Sequence, residues 1–258
     1  MISSPCNSYC KFENDICKSC GRTTEHLFNW IKYTEEERIA IMNKLNTNEK
    51  QMNNKIELIG YYGNDAVHAC SAWTSTTREL TDEKIKRIDK LLAMLARDGH
   101  HTPFEKSAIH FLVDTDIASH IHLLKHRIGV SINGESARYK EIKEDKFLIP
   151  DDWPENWQNK LKAHSEAGNK LYHEAIKDLE KSIGRKRIKE SARFFKGYNS
   201  QICADVMFNW RSFGHFLGLR NKPDAQKEIR EIAAYMLQLV KNIEGNPFKH
   251  TIAAFCKD

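Results

Sequence analysis

Long apolar runs are missing from this 258-residue sequence. No stretch approaches the roughly 20 apolar residues that a membrane-spanning helix needs, which excludes a helical membrane protein. The first ten residues, MISSPCNSYC, lack a basic region followed by an apolar run, so we do not expect a secretory signal. Internal repeats and low-complexity tracts are missing too, which leaves no sign of a repeat architecture. We therefore expect a globular protein of the cytoplasm.

A strong charge imbalance is also absent. The formal net charge is +5, with 40% hydrophobic and 29% charged residues. This composition is typical of a soluble protein with a core, and the length fits one medium domain with an appendage. A mildly basic chain does not require nucleic acid as a partner, and we expect none, but it suits a protein that binds several phosphates.

Cysteine is concentrated at one end of the chain. Four of the seven cysteines lie within the first 20 residues, at Cys6, Cys10, Cys17 and Cys20. In a reducing cytoplasm such residues are better explained as thiols or metal ligands than as disulfides. Four thiolates so close together suit tetrahedral zinc, and an iron–sulfur cluster is the second option. The alternative is a metal-free tail. The other three are isolated and predicted to be buried apolar residues: Cys70, Cys203 and Cys256.

The order of predicted elements indicates an α+β fold, with a modest antiparallel or mixed sheet surrounded by helices and a small cysteine-rich module in front. We assign residues 1–46 to this module, 47–54 to a polar linker and 55–258 to the main domain. Within the module, Thr34 and Glu37 have the spacing of a capping box.

Local patterns predict the elements of the main domain. β-Branched and aromatic residues predict strands at 55–62 and 107–115. Between them, the GND sequence at 63–65 predicts a turn and a helix cap. Apolar residues at helical spacing predict helices, which span 84–97, 116–129 (running into a loop), 155–183, 185–196, 201–217 and 223–243.

The densest polar stretch of the chain is KHRIGVSINGESARYKE, residues 125–141. Its two glycines let the backbone approach a ligand closely, and its Arg and Lys side chains suit phosphate. A solvated charged loop is the alternative, but the crowding of hydrogen-bonding residues favours a binding site. The chain has no G-x-G-x-x-G fingerprint, so we do not expect a Rossmann cofactor site.

This stretch resembles the signature of flavin-dependent thymidylate synthases: Arg-His-Arg, seven residues, Ser, and then Arg-Tyr. Here Lys125-His126-Arg127 is followed, after eight residues, by Ser136 and by Arg138-Tyr139. Three more segments resemble family motifs in the family's order, and the resemblance covers about residues 55–258. These segments are GNDAVHACSAWTS (63–75), DGHHTPFE (98–105) and NWRSFGHFLGLR (209–220). The N-terminal segment resembles a short bacterial cysteine-rich domain of unknown function.

The resemblance implies a homotetrameric enzyme, with active sites shared between subunits, that methylates deoxyuridine monophosphate (dUMP) to thymidylate (dTMP). Methylenetetrahydrofolate supplies the carbon, reduced FAD supplies the hydride, and NADPH reduces the flavin. The flavin carries the difficult chemistry, while the protein orients it and sets the local electrostatics.

The same resemblance implies roles for individual side chains. The residues expected to contact FAD are Ser75, His100, Thr102, Lys125, His126, Arg127, Asn209, Arg211 and His215. Nucleotide contacts fall on His122, Glu135, Ser136, Arg138, Arg193 and Arg220, with Arg193 reaching in from another subunit. Arg220 is the catalytic candidate, because a fixed guanidinium beside the pyrimidine favours its N3-deprotonated form. We do not cast Ser136 as a nucleophile, since no His–carboxylate pair is evident to activate it.

The chain departs from the family pattern around the nucleotide. Lys125 replaces an arginine and loses its planar fork. One extra residue precedes Ser136, which displaces Glu135 by one place, and His122 stands where a glutamine is expected. We therefore expect FAD binding, while the sequence does not decide which pyrimidine nucleotide is the substrate. The alternative is methylation or hydroxymethylation of another pyrimidine nucleotide.

Structural roles compete with several of these assignments. His100 and His101 have positions suited to capping a helix end, and Arg220 to closing a helix C-terminus. His122 and His126 have the i,i+4 spacing of two metal ligands on one side of a helix, but we expect no metal there because no third ligand is evident. The remaining alternative is a non-catalytic derivative of the fold that holds nucleic acid or a partner through its basic loop and its cysteine module.

Overall fold

The structure is a computed structural model, and it describes residues 12–13, 16–17, 22–30, 32–35, 37–38, 54–77 and 79–256. The chain divides into two compact units, residues 1–52 and 53–258. Three members of the predicted metal site, Cys6, Cys10 and Cys20, lie outside the described residues, and Cys17 is buried. None of the described helices is both long and apolar enough to cross a membrane.

The N-terminal unit contains a two-stranded antiparallel ribbon and a short helix. The ribbon consists of β1 (Phe12–Glu13) and β2 (Ile16–Cys17), and the helix is α1 (Thr24–Asn29). The predicted capping box is confirmed, because the Thr34 backbone N–H donates to Glu37 Oε2 at 2.8 Å and the Glu37 N–H donates to Thr34 Oγ1 at 3.2 Å. Each side chain satisfies a backbone donor that the first helical turn leaves unpaired.

The C-terminal unit is built on a four-stranded antiparallel sheet, which confirms the predicted α+β class. Its strands are β3 (Lys55–Tyr62), β4 (Ala108–Asp116), β5 (Val130–Gly134) and β6 (Gln201–Phe208), in the order β3-β4-β6-β5. Nine described helices of this unit accompany the sheet: α2 (Asp65–Trp73), α3 (Asp82–Ile85), α4 (Ile88–Arg97), α5 (Ile117–Leu124), α6 (Glu155–Ile183), α7 (Arg185–Ala192), α8 (Trp210–Arg220), α9 (Lys227–Lys241) and α10 (Lys249–Phe255).

One predicted helix, residues 201–217, is wrong. Its first half is β6, which pairs with β4 on one side and β5 on the other, and its second half is α8. The reason is visible in the burial of alternate residues along β6, where Ala204, Val206 and Phe208 are buried. This two-residue period belongs to a strand with one covered face, and the central sheet position overrides local helical spacing.

The main core lies on one face of the sheet, under α8 and α9. Phe111 and Phe208 point from neighbouring strands toward Phe213 and Phe216 of α8, and all four rings are buried. Because α8 is pressed against the sheet along this aromatic side, its other side is free to line a site.

The hairpin of α6 and α7 forms a smaller core of its own. Tyr172 and Ile176 of α6 pack against Ile188 and Ala192 of α7, and Ile142 packs against this cluster. The Tyr172 hydroxyl also accepts the Ile142 backbone N–H at 2.9 Å. The hairpin therefore holds the segment that follows the signature stretch.

The three isolated cysteines are half-buried, whereas full burial was predicted. Burial and the neighbouring Asp114 carboxylate raise the pKa of the Cys203 thiol to about 12. This thiol is protonated at neutral pH, so it is a poor nucleophile.

Candidate active site

Two cavities adjoin along the outer side of α8. The larger has a volume of about 750 Å³, within the range of roughly 300–1,000 Å³ typical of ligand sites. The smaller has a volume of about 160 Å³. Ile128, Ser212, His215 and Leu219 line both cavities, so the two form one continuous depression.

The signature loop is joined tightly to the start of α8. The Asn209 side chain caps the helix by accepting the Ser212 N–H at 2.9 Å, and Ser212 Oγ donates to the Gly129 carbonyl at 2.7 Å. Gly129 has a φ of +68°, and a Cβ there would lie 2.7 Å from Asn209 Nδ2. Only glycine meets both demands, so loop and helix present one rigid wall.

Two glycines on the same side of α8 make room for the larger cavity. Gly214 and Gly218 lie one turn apart and both line it. A Cβ on Gly214 would lie 2.4 Å from Cδ1 of Phe255, so glycine lets the α10 ring close one wall. No atom lies within 4 Å of a Cβ built on Gly218, so a side chain at that position would occupy open space.

Polar side chains are distributed around this apolar pocket. Arg211 forms an ion pair with Glu105, and both line the cavity. His101 Nε2 lies 3.2 Å from the Ala96 carbonyl near the end of α4, which is the helix-capping role considered for it, and its ring lies 5.3 Å from that of Phe255. The pocket thus offers a guanidinium and an imidazole beside aromatic and aliphatic surface.

The smaller cavity is organised around a buried histidine and an arginine. Arg220 Nε donates to His126 Nε2 at 3.0 Å, and the imidazole ring is 7% exposed. Burial, and then the positive charge of Arg220, lower the pKa of His126 to about 4. His126 is therefore neutral at pH 7, while Lys125 and Arg127 on either side are exposed cations at the rim.

The predicted nucleotide segment is engaged in contacts within the chain. Arg138 Nε donates to Glu190 Oε1 at 3.0 Å. Glu135 forms an ion pair with Lys140 and accepts the Cys203 N–H at 3.3 Å, while Ser136 Oγ accepts the Arg138 N–H at 3.3 Å. An anion at Arg138 would therefore share the guanidinium with the Glu190 carboxylate.

The fold brings part of the predicted site together. Asn209, Arg211 and His215 line the larger cavity, and Lys125, His126, Arg127, His215 and Arg220 line the smaller one. The others line neither cavity. Ser75, His100, Thr102 and Arg193 are exposed elsewhere on the unit, and His122 Nε2 lies 3.0 Å from Gln226 Oε1.

Sequence reasoning missed several cavity residues. Glu105 and His101 lie inside the DGHHTPFE motif, whereas the family resemblance assigns the FAD contact to the neighbouring His100. Gly214 and Gly218 carried a signal, since two glycines four residues apart in a helix expose one side of it. Phe255 carried none, because only the tertiary packing of α10 brings it to α8.

Comparison with protein families assigns most of the chain. Residues 57–244 match the family model described as thymidylate synthase complementing protein. Residues 4–49 match the model of a protein of unknown function, DUF1289, in agreement with the predicted cysteine-rich module.

Curated relatives and solved structures agree with this match. The flavin-dependent thymidylate synthase of Pseudothermotoga lettingae is 32% identical over 195 residues, which cover 73% of this chain and 85% of that protein. That of Clostridium tetani is 26% identical, covering 78% and 88%. A crystal structure of the UMP/dUMP methylase PolB from Streptomyces cacaoi, bound with 5-Br dUMP, has a TM-score of 0.65 at 25% identity and covers 78% of this chain and 94% of that one.

The four-stranded antiparallel sheet makes this an α+β protein, and the depression on α8 gives it a ligand-sized site. The chain belongs to the thymidylate synthase complementing protein family, the flavin-dependent thymidylate synthases. The resemblance inferred from the four sequence motifs is thereby confirmed.

Proposed function

We propose that this protein converts dUMP to dTMP, with methylenetetrahydrofolate as carbon donor, FAD as the hydride carrier and NADPH as its reductant. The depression on α8 carries the proposal, because it joins a cavity of about 750 Å³ to the Arg220–His126 pair. Family membership supports the methylation of dUMP. The particular cofactors are our inference.

The residues of the larger cavity fit a flavin. Gly218 leaves open space along the helix, and the Phe255 ring supplies a flat apolar wall. Arg211 and His215 supply hydrogen-bond donors for polar ring edges, and the exposed Lys125 and Arg127 suit a pyrophosphate. When bound, the flavin would supply the hydride, while the chain orients it and keeps solvent from its covered face.

Arg220 is the residue we assign to catalysis. Its guanidinium lines the smaller cavity, and Arg220 follows five residues after the His215 that lines both cavities. A fixed positive charge beside the pyrimidine stabilises negative charge as it develops on the ring. Ser136 and Arg138 would bind the nucleotide with Glu135 and His122 nearby, as the resemblance implies.

We also propose a homotetramer in which neighbouring subunits complete each site. Ser75, His100, Thr102 and Arg193 are exposed and line neither cavity of their own chain. Contacts with the FAD or nucleotide held by another subunit would account for these positions. Gel filtration with light scattering tests the subunit number.

Anaerobic turnover with FAD, NADPH, methylenetetrahydrofolate and dUMP, with products identified by mass spectrometry, tests the function. We expect dTMP. Reduction of the flavin without formation of dTMP would reject dUMP methylation, and a protein that binds no flavin would reject the flavoenzyme proposal.

UMP is the second candidate substrate. The structural relative PolB is described as a methylase of both UMP and dUMP. The nucleotide segment of this chain also departs from the family pattern, and it holds Glu135 and Arg138 in internal ion pairs. The same assay with UMP, monitored for both methylated and hydroxymethylated products, decides between the substrates.

Filling the larger cavity should displace the flavin. We expect Gly218→Leu to weaken FAD affinity about 10- to 100-fold, since overpacking costs about 1–3 kcal/mol. Gly218→Ala is the matched control, because its small side chain meets no atom within 4 Å, and it should retain FAD while stabilising the helix by about 1 kcal/mol. Fluorescence titration with FAD measures both. Equal FAD affinity of the two variants would place the flavin elsewhere.

The N-terminal module is proposed to bind one metal ion through Cys6, Cys10, Cys17 and Cys20, in a reducing cytoplasm. Four thiolates favour zinc, and an iron–sulfur cluster would instead give the protein visible absorption beyond that of flavin. Elemental analysis of the purified chain should give about one zinc, which Cys17→Ser removes and Cys70→Ser leaves in place. A wild-type chain without bound metal would contradict the proposal.

A further inference from the structure

The hydrogen bond between Arg220 and His126 fixes which side chain donates and which accepts. Arginine has only donors, so His126 Nε2 must be the acceptor and carries no proton. The proton of the neutral imidazole then lies on Nδ1. The bond uses only Nε of the guanidinium, which is the donor nearest the arginine stem.

The outer fork of Arg220 is left available by this arrangement. Within the part of the chain that the structure describes, Nη1 and Nη2 of Arg220 make no hydrogen bond to protein. Two parallel N–H groups of this kind recognise paired acceptors on a ligand. A guanidinium held by Nε alone is thus oriented, and its terminal amino groups can still donate hydrogen bonds to a ligand.

The imidazole is itself held firmly. Its ring meets Phe216 edge-on at 5.1 Å between centroids and lies 5.8 Å from the His215 ring, and it is almost fully buried. The ionisable groups that face it are Arg220 and His215 from α8 and His122 from α5, with Lys125 and Arg127 beside it in the chain. All are basic, so the surroundings favour the neutral ring that can accept the bond.

We propose that His126 is a positioning residue for Arg220: its imidazole accepts the Nε–H and thereby aims the two terminal amino groups of the guanidinium at the pyrimidine. This role rests on the proposed function and refines the flavin contact implied by the sequence. His126 acts through Arg220 and touches no reacting atom.

Kinetics of three variants test the assignment. His126→Phe keeps the ring packing on Phe216 but removes the acceptor, and we expect kcat to fall about 10- to 100-fold with a smaller change in the KM for dUMP, as expected when a catalytic group is misplaced by about 1 Å. His126→Gln restores an acceptor and should recover most of kcat. His164→Gln, on the exposed surface of α6, is the control and should match the wild type.

A double substitution shows whether the effect passes through Arg220. In an Arg220→Lys background, where the Nε donor is gone, His126→Phe should lower kcat by less than threefold further. Full additivity of the two substitutions would overturn the proposal. So would a His126→Phe enzyme that keeps wild-type kcat, a His126→Gln enzyme no better than it, or activity restored merely by excess FAD.

A spectroscopic measurement on the wild-type protein tests the proposal without relying on turnover or on the folding of a variant. Nitrogen NMR of the ¹⁵N-histidine-labelled full-length protein at pH 7 should show His126 as the Nδ1–H tautomer, with an unprotonated Nε2 that shifts in Arg220→Lys. An imidazolium or the opposite tautomer would overturn the proposal. If the wild type made no dTMP but showed this tautomer, the proposed function would fail while the hydrogen bond stood.

Discussion

Replacing Arg220 by alanine should lower kcat for dTMP formation by about 10²- to 10³-fold, the loss typical when one preorganised electrostatic partner of a developing anion is removed. Arg220 ends α8 and projects into the smaller cavity, where His126 holds its Nε. Removing the guanidinium takes away the positive charge at the proposed pyrimidine site. Steady-state and single-turnover kinetics of the purified variant measure the loss.

The controls for this substitution separate charge from geometry. Arg220→Lys keeps the charge but loses the fork, so its kcat should lie between those of the wild type and the alanine variant. Lys241→Ala removes a cation from the exposed end of α9, far along the chain from the site, and should leave kcat unchanged. FAD content should be similar in all of them. An Arg220→Ala enzyme within threefold of wild type would show that Arg220 is not the electrostatic catalyst.

The position of the α8 site could be predicted because its chemistry lies in contiguous motifs. Asn209 signals a helix start. Arg211 and His215 lie four residues apart, a spacing that puts them on one side of that helix. Arg220 follows five residues later and reaches the smaller cavity from the end of the helix. The signature loop could be placed beside it only through the family resemblance. The contact that joins them, Ser212 Oγ to the Gly129 carbonyl, spans 83 residues and has no local pattern.

The strand β6 and the support of the nucleotide segment could not be predicted in the same way. Apolar residues in 201–208 fit both a helix and a strand, and only pairing with β4 and β5 decides between them. Lys196 illustrates long-range support. Its side chain is 3% exposed, and its Nζ donates to Asp145 at 3.0 Å and to Asn169 at 2.7 Å, which ties the segment after the signature to α6.

Lowering the pH from 7 to 5 should reduce the free energy of unfolding by about 2 kcal/mol through His68 alone. His68 is fully buried between the Phe104 and Phe248 rings, and burial lowers its pKa to about 4. Its Nδ1 lies 3.0 Å from Thr251 Oγ1, whose hydroxyl donates to Asp65 at 2.6 Å. The threonine oxygen therefore accepts a hydrogen bond from the Nδ1–H of His68, and this series of hydrogen bonds joins α2 to α10.

The direction of the effect follows from where the proton binds more readily. The folded-state pKa of His68, about 4, lies below the ordinary value of 6.5, so the unfolded chain takes up the proton first as the pH falls. The stabilising contribution is complete above about pH 6.5, declines below it, and has lost roughly 3 kcal/mol by pH 4. That is a large share of a typical folding free energy of about 5–15 kcal/mol.

Urea unfolding at pH 7 and pH 5 measures this loss, with His68→Asn as the diagnostic variant. Asparagine keeps a donor for Thr251 but does not titrate, so the variant should be less stable at pH 7 and should lose about 2 kcal/mol less than the wild type on acidification. His164→Asn makes the same change on the exposed surface of α6 and should keep the wild-type pH dependence. His126, whose pKa burial also lowers to about 4, contributes equally to all three proteins and cancels in the comparison. Equal pH dependence of His68→Asn and the wild type would show that the buried imidazole does not control acid stability.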